Sequence, residues 1–427
     1  MITYYIVIFS MPYMNHYIWN AEFGPGLTVT KLAGAVCLLY ALIYLASRHA
    51  IPRFFVSPQS KWMMLFFGFA AFSFVSKGHS TMAQSVNPAY MYASSLIFFF
   101  ITMTVIDSIK RLYWSLMMGI GSAAFASLYM LKEWQHGTSV WGAGYRPGWI
   151  VGDSNYFTVA ALSVLPVAFE LFLVTKIKWH RIYCIVCMLL VFAAVTLGAS
   201  RGGFLGILVD VIYLIIRSKR PMRNLMGVLL LTIPFLIFAP NSPLHRFFSP
   251  QAGDTASVEK HLVGWQAGLN MVKKNPLTGV GLGNYKSVVT EYDTTGTVRQ
   301  DPHIAHNAYL EIAAEMGIPA FLVYLIFLGT TLYSIGVTRK RALARGSEML
   351  AALALGMEAS VLGAAVSIFF VSGEYTRLFW FILCLSMALP LLVPARKQVV
   401  APPPPEKPVE LEPEPGLKIG EALVEMR

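Results

Sequence analysis

The chain has 427 residues, of which 56% are hydrophobic and only 13% are charged, and its formal net charge is +11. Soluble domains carry about 25% charged residues, so this composition excludes an ordinary soluble protein. The apolar residues form long continuous runs, which indicates membrane-spanning helices and not the alternating pattern of a membrane β-barrel. Basic cytoplasmic loops then explain the positive charge, and nucleic-acid binding is not indicated.

Twelve apolar runs are each close to the roughly 20 residues that a helix needs to cross a bilayer. They cover residues 2–19, 28–46, 61–76, 87–107, 111–131, 155–175, 182–200, 203–217, 223–240, 308–338, 349–372 and 376–395. The sequence therefore predicts an all-α polytopic membrane protein, with spans one to nine in residues 1–240 and spans ten to twelve in residues 308–395.

Lysine and arginine concentrate in the loops that follow spans two, four, six, eight and ten, and the other loops carry few. Because basic loops stay in the cytoplasm, both termini are predicted to be cytoplasmic. Residues 396–427 are rich in proline and glutamate and predict a disordered cytoplasmic tail. Cys184 and Cys187 form a CxxC inside a span, which favours packing over metal binding or redox chemistry.

A polar insert at residues 241–307 interrupts the spans and is predicted to lie on the opposite, outer side of the membrane. Residues 257–275 have helical periodicity and predict a helix at the membrane surface or capping the bundle. Pro276 ends this helix, and the glycines that follow, Gly279, Gly281 and Gly283, permit tight turns or a close approach of backbone to a ligand.

Arg201 and His306 are the main candidates for chemistry. Arg201 stands between two apolar spans, where a charge is costly and usually has a partner or faces a cavity. Its guanidinium can grip a diphosphate, or it can simply extend to the membrane interface. His306 precedes span ten, where the helix dipole favours neutral imidazole and hence a general base. A histidine that only caps the helix or faces water is the alternative.

Several further residues are weaker candidates. Lys260 and His261 on the insert helix, and Arg146 in another outer loop, are cationic groups that can meet a phosphate-bearing lipid. His303 and Asp301 near His306 raise the question of a metal, but three residues at this spacing rarely suffice, and no metal is expected. The buried acids are scattered among the spans, which favours hydrogen bonds to neighbouring helices; they are Glu170, Asp210 and Glu358.

Taken together, these residues resemble the O-antigen ligase and polymerase superfamily. Four stretches carry the resemblance in the family's order. The first is Gly152-Asp153-Ser154-Asn155, which is similar to the family's Asp-Pro-Asn segment with Ser154 in place of proline, and the second is Ser200-Arg201-Gly202. The third runs from Trp265 through Asn284 and includes Asn275-Pro276-Leu277-Thr278-Gly279-Val280-Gly281. The fourth is His306-Asn307-Ala308-Tyr309-Leu310 with Glu315-Met316-Gly317. Their order and spacing make the combination more specific than any one motif.

The resemblance implies a GT-C-like membrane fold with a large periplasmic loop between spans nine and ten, in the bacterial inner membrane. It implies a metal-independent, inverting glycosyltransferase without cofactors. His306 and Arg201 would be catalytic; the residues implied in binding diphosphate or acceptor are Lys260, His261, Trp265, Gly279, Gly281, Arg146, Asn307, Tyr309 and Glu315. One departure stands out, because the family often has arginine where this chain has His261.

The function implied is that of an O-antigen ligase, which transfers a polysaccharide from undecaprenyl diphosphate to a sugar hydroxyl of lipid A–core. The motifs do not separate this activity from an O-antigen or exopolysaccharide polymerase, which uses the same donor, or from a protein O-oligosaccharyltransferase. A transporter is the alternative outside enzymes, since twelve spans with intramembrane acids permit one. The missing repeat halves and the polar insert oppose that interpretation.

Overall fold

The computed structural model describes residues 1–13, 28–47, 51–78, 88–141, 145–148, 153–217, 221–222, 225–227, 252–296, 298 and 302–393. The chain divides into two units, Met1–Pro394 and Ala395–Arg427. The second unit, which holds the predicted tail, lies outside the described residues, as does most of the predicted ninth span.

The described part of the chain folds into α-helices joined by turns. In chain order they include α1 (Ile2–Ser10), α2 (Val29–Ser47), α3 (Ile51–Phe54), α4 (Pro58–Lys77), α5 (Pro88–Val105), α6 (Ile109–Trp141), α7 (Ser154–Leu162), α8 (Leu165–Val174), α9 (Lys178–Gly198), α10 (Arg201–Arg217), α11 (Ala252–Lys274), α12 (Tyr285–Tyr292), α13 (Ala308–Ala344), α14 (Glu348–Ser367) and α15 (Arg377–Ala388).

Seven described stretches are long and apolar enough to cross a membrane. They are Val29–Ala46, Pro88–Val105, Ile109–Val140, Ser154–Val174, Lys178–Gly198, Ala308–Ala344 and Glu348–Ser367, and Arg377–Leu392 is a shorter apolar helix. The prediction of a polytopic all-helical membrane protein is thus confirmed. The number twelve stays a prediction: α10 has only 17 residues, and α4 carries a lysine near each end.

Two of the predicted spans differ from the observed helices. The span predicted at residues 155–175 is divided between α7 and α8, with Pro166 in the first turn of α8, where proline's missing N–H costs no hydrogen bond. Helix α6 continues to Trp141 instead of ending at residue 131, so its last turns carry the polar residues Lys132 and Glu133. This extension brings Glu133 to the loop that contains Arg146.

Helices α13 and α14 form the centre of the bundle. Helix α13 packs against α4, α11 and α14, and α14 packs against α8 and α10. A buried ion pair joins the two central helices, because Arg339 Nε donates to Glu358 Oε2 at 3.0 Å. Glu358 therefore bonds a neighbouring helix, as predicted. The insert helix α11 reaches the bundle through α13, which places the insert beside the start of that span.

Candidate functional site

His306 lies in the short loop that leads into α13. Asn307 caps the helix, since its side-chain Oδ1 accepts from the amides of Tyr309 and Leu310, both at 3.1 Å. The cap requires a sharp turn, and His306 makes it with a φ of 50°, in the left-handed region that non-glycine residues rarely adopt. The backbone thus fixes His306 at the helix start, in a strained conformation typical of functional positions.

The insert helix α11 supplies the surroundings of His306. The His261 ring stacks on the His306 ring with centroids 4.9 Å apart, and the His303 ring lies 6.4 Å from His306. His303 Nε2 is 3.0 Å from the carbonyl oxygen of Lys260. Trp265 Nε1 donates to the carbonyl oxygen of Ala305 at 2.9 Å. The tryptophan and the histidines therefore hold the His306 loop against α11.

Burial keeps His306 and His261 neutral. It lowers the pKa of His306, an effect that nearby His303 adds to and Asp153 opposes. It lowers the pKa of His261 to about 4, with further contributions from His306, His303 and Arg201. Within the described residues His306 Nδ1 is enclosed and makes no hydrogen bond. This nitrogen is therefore closed to a substrate.

Arg201 opens α10 directly after a tight junction with α9. Ala199 ends α9 in the left-handed conformation, with φ at 47°, and the Ser200 hydroxyl accepts from the amide of Gly203 at 3.2 Å. A Cβ added at Gly203 would collide with Thr158, so the Ser-Arg-Gly-Gly sequence lets α10 pack closely on α7. Arg201 acts electrostatically on both His261 and Arg146, which brings these three groups to the same end of the bundle.

Arg146 reaches this junction from the loop after α6. Its Nε and Nη2 donate to the carbonyl oxygen of Gly198 at 3.0 and 2.7 Å, and Nη2 also donates to Ser154 Oγ at 2.8 Å. Asp153 caps α7 by accepting from the Asn155 amide at 2.8 Å. The structure therefore joins His306, His261, Arg201 and Arg146, and adds Asp153, whose electrostatic effect on His306 its motif alone did not reveal.

The turn after α11, which contains Gly279, Gly281 and Gly283, uses its backbone amides for hydrogen bonds inside the protein. The amides of Val280 and Gly281 donate to the carbonyl oxygens of Ala314 and Glu315, both at 2.9 Å. The amides of Gly283 and Tyr285 donate to the Glu315 carboxyl group at 2.8 and 3.0 Å. These donors are used inside the fold, so Gly279 and Gly281 pack on Glu315 of α13, and the expected contact of these three residues with substrate stays a prediction.

The other predicted residues lie around the site in different roles. The Tyr309 hydroxyl donates to the carbonyl oxygen of Ala365 at 2.7 Å and so fixes α13 to α14. The Lys260 residue is exposed, and its backbone carbonyl contacts His303. Sequence reasoning missed Glu133, which anchors the Arg146 loop, because nothing in its local sequence marks it.

These observations define a multi-pass helical membrane protein with histidines and arginines gathered where α9, α10, α11 and α13 meet. The family model described as O-antigen ligase matches residues 185–325, which include Arg201, His261 and His306. This match confirms the resemblance to the O-antigen ligase superfamily that the motifs indicated, a superfamily whose members are glycosyltransferase-like enzymes. No curated protein matches the chain.

Proposed function

We propose that the chain is an O-antigen ligase that transfers a polysaccharide from undecaprenyl diphosphate to a sugar hydroxyl of lipid A–core. The transfer is metal-independent and inverts the anomeric carbon. The enzyme spans the bacterial inner membrane with both termini in the cytoplasm and the site facing the periplasm. The observation that carries the proposal is one juxtaposition: a neutral, strained His306 beside His261, close to the cation Arg201.

His306 suits the role of general base for the acceptor. The acceptor hydroxyl oxygen forms a bond to the anomeric carbon while its proton passes to His306 Nε2. A neutral ring is required for this step, and burial, which lowers the pKa of His306, provides it. General-base assistance by a positioned side chain typically contributes about 10²–10⁴-fold to rate.

Arg201 suits stabilisation of the leaving group. As the bond between the anomeric carbon and the diphosphate oxygen breaks, its electron pair stays on that oxygen and negative charge grows there. A guanidinium fixed at the start of α10 can donate two parallel hydrogen bonds to this group. Fixed cations in a site shielded from water stabilise such charge strongly.

An apolar cavity supports a lipid-linked donor. It lies between α8, α9 and α10 and is lined by Phe169, Phe192, Ile207 and Leu214, with Asp210 as its polar residue. The cavity follows the part of α10 that comes after Arg201. A diphosphate at Arg201 can therefore place the first units of a prenyl chain in this cavity, where apolar burial stabilises binding.

The test is transfer by purified protein in the presence of chelator. Undecaprenyl-diphosphate-linked polysaccharide and lipid A–core are mixed with the wild type or with His306→Ala. We expect lipid A–core to shift to high mass with the wild type alone. Lengthening of the lipid-linked glycan without that shift would instead identify a polymerase. Tracer flux in proteoliposomes without any transfer would identify a transporter.

A further inference from the structure

We propose that the insert helix α11 lies on the surface of the bilayer, with an exposed ridge of leucines in contact with lipid and with lysines at lipid phosphates. The ridge is formed by Leu262, Gln266, Leu269 and Lys273, and Leu277 follows it just after the helix ends. The partner of this surface is a lipid bilayer that contains anionic headgroups. The contact is independent of the proposed function, because it needs no glycan and no diphosphate.

Helix α11 uses its opposite face to pack on the rest of the protein. Ala267 and Met271 are buried on that face, and a Cβ added at Gly268 would come close to the Tyr285 hydroxyl and to Leu310 of α13. Successive residues of an α-helix are rotated by about 100°, which places the ridge on the side opposite to these buried positions. The ridge therefore points away from α12 and α13.

The leucines of the ridge are largely exposed. Leu262 is 57% exposed, Leu269 is 51% exposed and Leu277 is 71% exposed. Neighbours in this series are about two helical turns apart, so they place apolar side chains at regular intervals along one line. Single exposed leucines are normal on protein surfaces, but a line of them beside lysines is typical of a helix that lies in the membrane interface.

The length of α13 fixes the depth of its first turns in the membrane. Lys340 and Arg341 are exposed near one end of this helix and mark a boundary of the hydrocarbon core, where charge is costly. About 20 residues of helix cross the core, so the other boundary falls near Ala320. Because α13 begins at Ala308, the turns before its break at Gly317 extend beyond the core.

Helix α11 and the turn that follows it pack on those first turns of α13 and on the loop before them. Trp265 donates to the carbonyl oxygen of Ala305, and the Val280 amide donates to the carbonyl oxygen of Ala314. These contacts hold α11 beside the part of α13 that lies outside the core. The ridge is therefore at the level of the lipid headgroups, on the side of the bilayer where α13 begins.

The charge near the ridge suits anionic lipid. Among the described side chains of α11, the exposed charged residues are Glu259, Lys260, Lys273 and Lys274, so positive charge prevails. The Lys274 ammonium group lies 4.9 Å from the centre of the Tyr292 ring, which keeps it at the end of the helix. Lysine stems can lie along apolar surface while their ammonium groups reach phosphates, and each lysine near an anionic surface strengthens binding.

The experiment measures spin-label accessibility in full-length protein, in nanodiscs of phosphatidylethanolamine and phosphatidylglycerol. Labels are attached at Leu262→Cys, Leu269→Cys and Leu277→Cys, and the four native cysteines are buried, which limits background labelling. The exposed residue Glu291 on α12 provides the water control as Glu291→Cys. Val36, 54% exposed on a candidate span, provides the lipid control as Val36→Cys.

Oxygen concentrates in lipid, whereas a soluble nickel chelate stays in water, so the ratio of the two accessibilities reports the depth of each label. We expect ratios at the three leucines that are severalfold above the ratio at Glu291 and below the ratio at Val36. Ratios equal to that at Glu291 would place the ridge in water and overturn the proposal. Low accessibility to both reagents would place a protein surface, such as a second copy of this chain, over the ridge and would overturn it as well.

Exchange of phosphatidylglycerol for phosphatidylcholine tests the lysines. The exchange removes the anionic lipid and should lower the oxygen-to-nickel ratio at Leu269→Cys. Lys273→Gln, added to that variant, should reduce this dependence on anionic lipid. A ratio that is the same in both lipid mixtures would overturn the assignment of the lysines to lipid phosphates.

Discussion

The rings of His306 and His261 lie face to face, 4.9 Å between centroids, although one residue precedes a membrane span and the other belongs to the insert helix. A proton on either ring places positive charge against the other, so each disfavours protonation of its neighbour. The stack therefore couples the conformation of the insert to the proton affinity of the proposed base.

Replacing His306 should lower the transfer rate without changing the stability of the protein. His306→Ala and His306→Gln remove the base, and each should lower kcat by about 10²-fold or more, the usual contribution of a general base. Membrane insertion and the thermal midpoint of purified protein should change little, because the helix cap is provided by Asn307. A variant with near-normal kcat would remove His306 from the mechanism.

The pH dependence of kcat/KM should report the depressed pKa of His306. Because the neutral ring is the active form, activity should be present above that pKa and lost as pH falls through it. The loss should occur below the ordinary histidine value of about 6.5. Asp153→Asn removes a charge that raises this pKa but keeps a good helix cap. We expect that variant to move the acid limb to lower pH; an unmoved limb would exclude Asp153 as an influence.

The shape of the Arg201 side chain should matter as well as its charge. Arg201→Lys keeps one positive charge but cannot donate two parallel hydrogen bonds to a phosphate. We expect kcat/KM for the donor to fall by about 10-fold or more, the scale of one lost charge-assisted bond. Initial rates across donor concentrations provide the measurement. Normal kinetics with lysine would assign Arg201 the role of a point charge or an anchor.

The glycine turn should prove a stability element. Gly279 has a φ of 66°, and a Cβ there would collide with the Glu315 backbone. Gly279→Ala should destabilise the protein by about 1–3 kcal/mol or more, as overpacking does. Gly296→Ala is the matched control, since φ is 78° but a Cβ meets nothing within 4 Å. Thermal unfolding in detergent distinguishes them; equal midpoints would show that the turn is not tightly packed.

Sequence periodicity and loop charge predicted the all-helical membrane class because both follow from the cost of unpaired backbone and charge in hydrocarbon. The four motifs likewise predicted that His306 and Arg201 belong to one family site. The positions at which helices break were harder to predict from the sequence. The turn at Ser163 and Val164 divides a run that is apolar on both sides of the turn, so average hydrophobicity does not predict it.

The contacts between distant segments could not be read from sequence. That the turn with Gly279 and Gly281 packs on α13 depends on which amides meet Ala314 and Glu315 in three dimensions. The support of Arg146 by Glu133 depends on α6 running past its predicted end. In both cases a local pattern allowed several roles, and the tertiary partner decided between them.

The break in α13 has a consequence for biogenesis. At Gly317, with φ at 87°, the helical ladder is interrupted, and the amide of Ile318 donates to the carbonyl oxygen of Pro276 at 2.8 Å. The ribosome makes the Pro276 turn before it makes α13, so the turn has no partner until that helix has been made. Only when the later span arrives do both segments satisfy each other's backbone. We expect the loop that carries His306 to reach its position against α11 at that moment, as a late step of membrane integration.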